Sequence, residues 1–437
     1  MNKRMISSLA GALATCLSIS ALAQSNRIDI IRHDAPELAH FGEFDIGVRT
    51  LEFTDPDRPD VLNSAEGSET VFYDRSLTVE VWYPAKLADS QQPGSVYTTT
   101  TRNPAVTATL YGRAVRDADA RTMAAPMPLI IISHGYPGNR YLMSHLGENL
   151  ASKGYVVASI DHRDSTYTDQ QAFASTLYNR PLDQLFVLDE MTALGNDDAS
   201  FLYGKVDTGN TGIVGYSMGG YGLVINLGGG YSDQLVAHEM APANGLALRH
   251  AATNPDFRKR RDPRIKAGFA VAPWGMASGV WNPDDLKAIE IPTFYLSGSV
   301  DTIAGYESGT RAIFENATRS HRYLLTFVNA GHNAGAPIPL PVEILSDEAQ
   351  IGASHYTDPV WDSVRMNNIM DHFATAFFDY YLKDKAERLA YLELVPDARD
   401  GVYSVEEGRP TRTHTYWKGF SEGTARGLLL EHLAPAD

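Results

Sequence analysis

The sequence predicts an α/β fold, a mostly parallel twisted sheet with helices on both faces and cap insertions at one end. Three observations lead there. Short continuous apolar runs such as Leu129-Ile-Ile-Ile132 and Val156-Val-Ala-Ser-Ile160 are the mark of strands buried on both faces. Beyond Pro128 these runs alternate with stretches of helical character, which calls for parallel strands joined by right-handed crossovers. Ile213-Val214 also drives straight into Gly215-Tyr-Ser217-Met-Gly219, followed by small and apolar residues. That is the layout of a strand turning sharply into a helix and lifting a serine above the sheet.

Taken in order, extended segments are expected at 47–51 and 77–82, on either side of a polar stretch, 54–69, dense in Asp, Pro and Ser. The sheet should therefore open with antiparallel strands. Residues 85–126 are mixed, with a Thr-rich stretch at 97–102 and a possible short helix at 114–123. Buried strands are expected at 129–132, 156–160, 212–214, 267–271, 293–296 and 324–328. Helices are expected at 143–153, 181–194, 221–227 and 307–316. A last helix, 364–383, sets Met366, Ile369, Phe373 and Phe377 along one stripe. Residues 229–262 and 333–363 exceed what a crossover needs, and insertions above the carboxyl ends of strands shape a cleft there. For 229–262 a purely structural role fits almost as well. The piece 390–437, with Trp417-Lys-Gly-Phe420, reads as an extra edge element.

Composition narrows the function classes. The chain of 437 residues is 43% hydrophobic, ample for a large core. A formal net charge of −16 argues against nucleic acid and anionic membrane surfaces as partners. The one basic run, Arg258-Lys-Arg-Arg261, fits a solvated helix end better than a phosphate site. Lys3 and Arg4, the apolar residues 5–20 and Ala21-Leu-Ala23 have the pattern of a signal peptide cleaved before Gln24. The mature chain, 24–437, then reads as one decorated domain with no integral membrane segment. The only cysteine, Cys16, lies inside the leader, where Leu-Ala-Thr-Cys16 makes a poor lipoprotein signal. A mature protein without cysteine has no disulfides and no thiolate chemistry. Export to a bacterial periplasm or the medium is the expectation.

A serine hydroxyl needs a base to take its proton, and the base needs an orienting carboxylate. After Ser217 the chain supplies both. One strand runs into Ser297-Gly-Ser-Val-Asp301, and the next into Val328-Asn-Ala-Gly-His332. Ser217, Asp301 and His332 are thus a candidate nucleophile, acid and base, each just past a strand end. Thirteen histidines are present, and His355 and His372 are rivals for the base. Glu307 is a rival for the acid. The strand at 129–132 ends in Ser-His134-Gly135-Tyr136, so the N–H groups of Tyr136 and Met218 are candidate oxyanion donors, with His134 bracing the loop. Asp161-His-Arg-Asp164 invites a metal reading, but a salt-bridged network at a strand end is more plausible. Trp274, Trp281 and Trp361, with the Tyr136 ring, are candidate walls of an apolar substrate pocket.

With these residues in hand, the chain resembles the α/β-hydrolase superfamily, and within it the dienelactone-hydrolase-like group that includes enzymes similar to platelet-activating-factor acetylhydrolase. The pieces that carry the resemblance are Leu77-Thr-Val-Glu-Val-Trp-Tyr-Pro84, Pro128-Leu-Ile-Ile-Ile-Ser-His-Gly135, Leu150-Ala-Ser-Lys-Gly-Tyr-Val-Val-Ala158 and Gly215-Tyr-Ser-Met-Gly219. The resemblance implies a hydrolase of carboxylic esters with no metal and no organic cofactor. Two departures are plain. True dienelactone hydrolases use a cysteine where Ser217 stands. The acetylhydrolase pattern places its acid after the strand that follows the elbow helix, where Ala270-Val-Ala-Pro-Trp274 has none, so that role falls to Asp301. An amidase or peptidase with the same triad, and a non-catalytic binding protein on this scaffold, remain the alternatives.

Overall fold

The computed structural model describes residues 26–171 and 173–436; the expected leader, 1–23, lies outside them. Nine strands form the body of one sheet that holds eleven among the described residues: β1 (Asp45–Pro59), β2 (Phe72–Lys86), β3 (Met127–Ser133), β4 (Val156–Asp161), β5 (Val206–Tyr216), β6 (Ile265–Val271), β7 (Thr293–Gly298), β8 (Arg322–Phe327) and β9 (Leu428–Leu433). Their spatial order is β9-β8-β7-β6-β5-β3-β4-β2-β1. The pairs from β4 through β3 to β8 are parallel, and β1, β2 and β9 join antiparallel at the two sides. The continuous apolar runs occupy the middle of the sheet, where both faces are covered.

Register turns sequence into packing. Phe269, Phe294 and Tyr323 are partners across β6, β7 and β8. Their rings stack with centroids 4.6 and 5.9 Å apart. The helix Ser363–Lys383 lies over this ladder, with Phe373 and Phe377 against Phe294. It starts at an N-cap, Asp362, whose side chain accepts from the Arg365 N–H. Helix α1 (Ser144–Ala151) shares that face, while α2 (Phe173–Asn196) and α3 (Met218–Leu227) cover the other. The C-terminal piece packs Trp417 and Phe420 on Phe373 and ends as the edge strand β9.

Three local expectations need correction. The helix expected at 114–123 is absent. Val115–Arg116 and Asp119–Ala120 instead pair with β1 and β2, because the N–H groups of Asp117 and Arg121 donate to the Val48 and Pro84 carbonyls. Strand β1 runs past the expected break through an irregularity between Asp55 and Arg58, and the Arg58 guanidinium reaches Asp55, Asn179 and Asp183. Helix α2 begins well before Pro181, which sits inside it. A proline there leaves the carbonyl four residues back without its donor. That carbonyl belongs to Leu177, and the hydroxyls of Tyr221 and Tyr231 donate to it at 2.8 Å each.

Candidate active site

The last residues of β5 are fully buried and deliver Ser217 in a strained conformation, φ 52° and ψ −111°. A non-glycine residue there costs on the order of 1–3 kcal/mol and persists only when its surroundings over-determine it. Here they do. The Ser217 N–H donates to Val271 O at the end of β6, and its carbonyl accepts from the N–H groups of Tyr221 and Trp274. Two glycines make the turn possible: a Cβ at Gly215 would strike the Gly219 carbonyl, and one at Gly219 would strike that of Ser133.

The loops after β7 and β8 bring Asp301 and His332 to this serine. His332 Nε2 lies 3.0 Å from Ser217 Oγ, and Nδ1 lies 2.9 Å from Asp301 Oδ2. Asp301 is buried, and its other oxygen accepts from the N–H groups of Ile303 (2.8 Å) and Ala304 (3.0 Å). A carboxylate can only accept, so it places the imidazole proton on Nδ1 and leaves Nε2 to accept from the hydroxyl. The rivals have other partners. His355 Nε2 meets the Tyr167 hydroxyl at 2.8 Å. His372 Nδ1 accepts from the Leu38 N–H at 3.0 Å, and the Glu307 side chain is largely exposed beside Arg311. Asp358 escaped the sequence reading. Its Oδ2 accepts from the Gly331 N–H at 2.7 Å, fixing the residue before His332, and its Oδ1 accepts from Val360 and Trp361.

The loop after β3 abuts the serine, with the ideal Cβ position of Gly135 3.3 Å from Ser217 Cβ. Met218 opens α3 on the other side. His134 Nε2 accepts from the His162 N–H, so Nδ1 carries the proton and donates to the Gly135 carbonyl at 2.7 Å. Burial, then Arg180, push the His134 imidazole well below its usual range, so it stays neutral. Arg180, 1% exposed, donates to the carbonyls of His134 and Gly135 and to Ser165 Oγ. No carboxylate among the described residues pairs with it, and burial brings its guanidinium down to about 9. The strand-end acids are engaged nearby, Asp161 with Arg140 and Asp164 with Arg75, while Asp183 of α2 meets Arg75, Arg58 and His162.

This geometry has company among known proteins. A family model described as PETase, PET hydrolase-like, matches residues 95–245. A cutinase of Thermobifida cellulosilytica is 24% identical over 284 residues, 64% of this chain and 78% of that one. A cutinase of Thermobifida fusca is 24% identical over 284 residues, 64% of each chain. The platelet-activating factor acetylhydrolase of Cavia porcellus is 30% identical over 137 residues, 23% of this chain and 31% of that one. Among solved structures, a ferulic acid esterase from Streptomyces cinnamoneus aligns with a TM-score of 0.54 at 21% identity, over 80% of this chain and 94% of that one. These likenesses support an α/β-hydrolase serine esterase family for the chain and indicate a carboxylic-ester hydrolase.

In this esterase Ser217 and His332 open into a cleft of about 630 Å³. Tyr136 and Ile303 line it, and the 333–363 insertion contributes Ile351, His355 and Thr357 among others. The 229–262 insertion contributes nothing to the lining. Its Tyr231, His250 and Phe257 rings pack together, with Tyr231 against Tyr221. The expected tryptophan walls are a correction, since none of the three lines the cleft. Trp281 is buried against Tyr221 and donates to the Gly229 carbonyl. Trp361 packs on Phe327 and donates to the Val328 carbonyl. Trp274 is half-buried behind Phe173, and Phe173 in turn meets Tyr136 edge to face. Each indole is thus held by core partners, and of the aromatics named in advance only Tyr136 faces the cleft.

Proposed function

We propose that this protein is an exported serine esterase that cleaves carboxylic esters through an acyl-enzyme on Ser217. The observation that carries the reading is the unbroken hydrogen-bonded line from Ser217 Oγ through His332 to Asp301. Ser217 Oγ attacks the ester carbonyl carbon while its proton passes to His332 Nε2. Asp301 holds the imidazole in the required tautomer and stabilises the imidazolium. The N–H groups of Tyr136 and Met218 take the developing oxyanion, and neutral His134 and Arg180 hold the first of these loops from behind. His332 returns the proton to the leaving alcohol as the carbon–oxygen bond breaks. Water then repeats the sequence, releasing the acid and restoring Ser217.

The 333–363 insertion acts as a cap over the cleft. Exposed Ile303 and Ile351 at the cleft favour esters with an apolar part. The cutinases and the ferulic acid esterase among the relatives support the same substrate class. Export rests on Lys3, Arg4 and the apolar run before Ala23; intact mass of the secreted protein should begin at Gln24, and a retained leader would argue against it. For the chemistry, a fluorophosphonate should add one phosphonyl group to the wild type, on Ser217, and none to Ser217→Ala. Labelling that persists in the variant would sink the reading.

A further inference from the structure

Arg102 stands apart from the other charges of the cleft. It sits at the tip of a hairpin formed by Val96–Thr100 and Thr107–Tyr111, which pair antiparallel. Its N–H donates to the Tyr356 hydroxyl at 2.9 Å, and its side-chain stem lies against Gly352, where an added Cβ would come within 2.7 Å of it. The hairpin tip and the 333–363 insertion therefore lock together around this residue, and Arg102 lines the same cleft as Ser217 and His332. Its guanidinium has no ion pair and no side-chain hydrogen bond among the described residues. Asp358 shares the cleft, but its two oxygens are already engaged by the N–H groups of Gly331, Val360 and Trp361. His355 stands near both Arg102 and His332; burial first, then these two, push its imidazole to about 3, so it remains neutral and leaves Arg102 the unpaired cation there.

We infer that Arg102 is a specificity residue that receives an anionic group on the non-reacting part of the substrate, so the preferred esters are half-esters carrying a free carboxylate. The inference rests on the serine-esterase reading above and narrows its substrate class. The chemistry fits. An unpaired guanidinium lining the cleft offers a planar fork that matches a carboxylate in two parallel hydrogen bonds. The protein as a whole carries −16 and repels anions, so a carboxylate needs a local cation to settle near Ser217. The exposed Ile303 and Ile351 lie in the same cleft to take the apolar link between carboxylate and ester.

The test compares matched charged and neutral esters of the same shape. On the acyl side these are mono-p-nitrophenyl adipate and its terminal carboxamide; on the alcohol side, 4-carboxyphenyl acetate and 4-carbamoylphenyl acetate. Wild type should favour the carboxylate in kcat/KM by about tenfold or more in one pair, and the favoured pair says on which side of the scissile bond Arg102 acts. The ratio should fall towards one in Arg102→Gln, invert in Arg102→Glu, survive in part in Arg102→Lys, and shrink as salt rises. Because each ratio is taken within one protein, a general loss of activity does not disturb it. Hydrolysis of all four esters with no preference, or a preference unchanged in Arg102→Gln, overturns the subsite and leaves the esterase standing. No hydrolysis of any ester removes the esterase reading and this inference with it.

Discussion

Arg180 holds the loop beside Ser217 without lining the cleft. It is a buried cation bonded to two carbonyls of the loop after β3. The Gly135 carbonyl and the Tyr136 N–H belong to one peptide plane, so holding the first aims the second. Removing hydrogen bonds to a charged group costs about 1.5–3 kcal/mol. If that loss falls on the transition state, Arg180→Met should lower kcat by roughly 10- to 100-fold, with KM little changed and a trifluoromethyl ketone inhibitor weakened in step. Arg180→Lys should recover part of both. A variant that raises KM alone would show that Arg180 supports the fold and nothing more. The meeting of Ser217, His332 and Asp301 was legible in advance because Asp301 and His332 each follow a recognisable buried strand. Arg180 and Asp358 were not, since the loop groups they hold beside the serine, the His134 and Gly135 carbonyls and the Gly331 N–H, lie 27 to 46 residues away in the chain. The tryptophans misled for a related reason: an indole in an apolar stretch looks the same whether it faces a cleft or the core.

Helix α2 carries a defect that the fold corrects from outside. Pro181 removes the donor for the Leu177 carbonyl, and Tyr221 and Tyr231 supply two in its place. Replacing both tyrosines by phenylalanine leaves that buried carbonyl unsatisfied, at about 1–3 kcal/mol. With Pro181→Ala the backbone N–H returns, and the same double replacement should then cost clearly less. Urea unfolding of the four proteins measures the difference; equal costs in both backgrounds would contradict it. Sequence alone placed the helix start at Pro181, because proline favours a first turn and the rescuing hydroxyls come from α3 and the segment after it. The parallel strands were legible from their apolar runs. The supposed helix at 114–123 was not, because its backbone is claimed by the edge of the sheet.

At the scale of the whole molecule, buried histidines set the response to acid. Burial above all holds His162, His250 and His372 at about 3, below the ordinary 6.5. Unfolded, these groups take up protons as the pH drops through about 6.5; folded, they do not until about 3. The unfolded state thus binds more protons across that window, so stability rises with pH and is lost as pH falls. Melting temperature should decline from near pH 6.5, above the carboxylate range, and His250→Gln should shallow the slope. A flat profile from pH 7.5 to 5 would contradict this. The central claim meets its most direct test in turnover of a p-nitrophenyl ester series, from acetate to long-chain acyl groups, by wild type and Ser217→Ala. Turnover by the wild type that falls roughly 10⁴-fold or more in the variant is the predicted result. Equal turnover by the two proteins would contradict it.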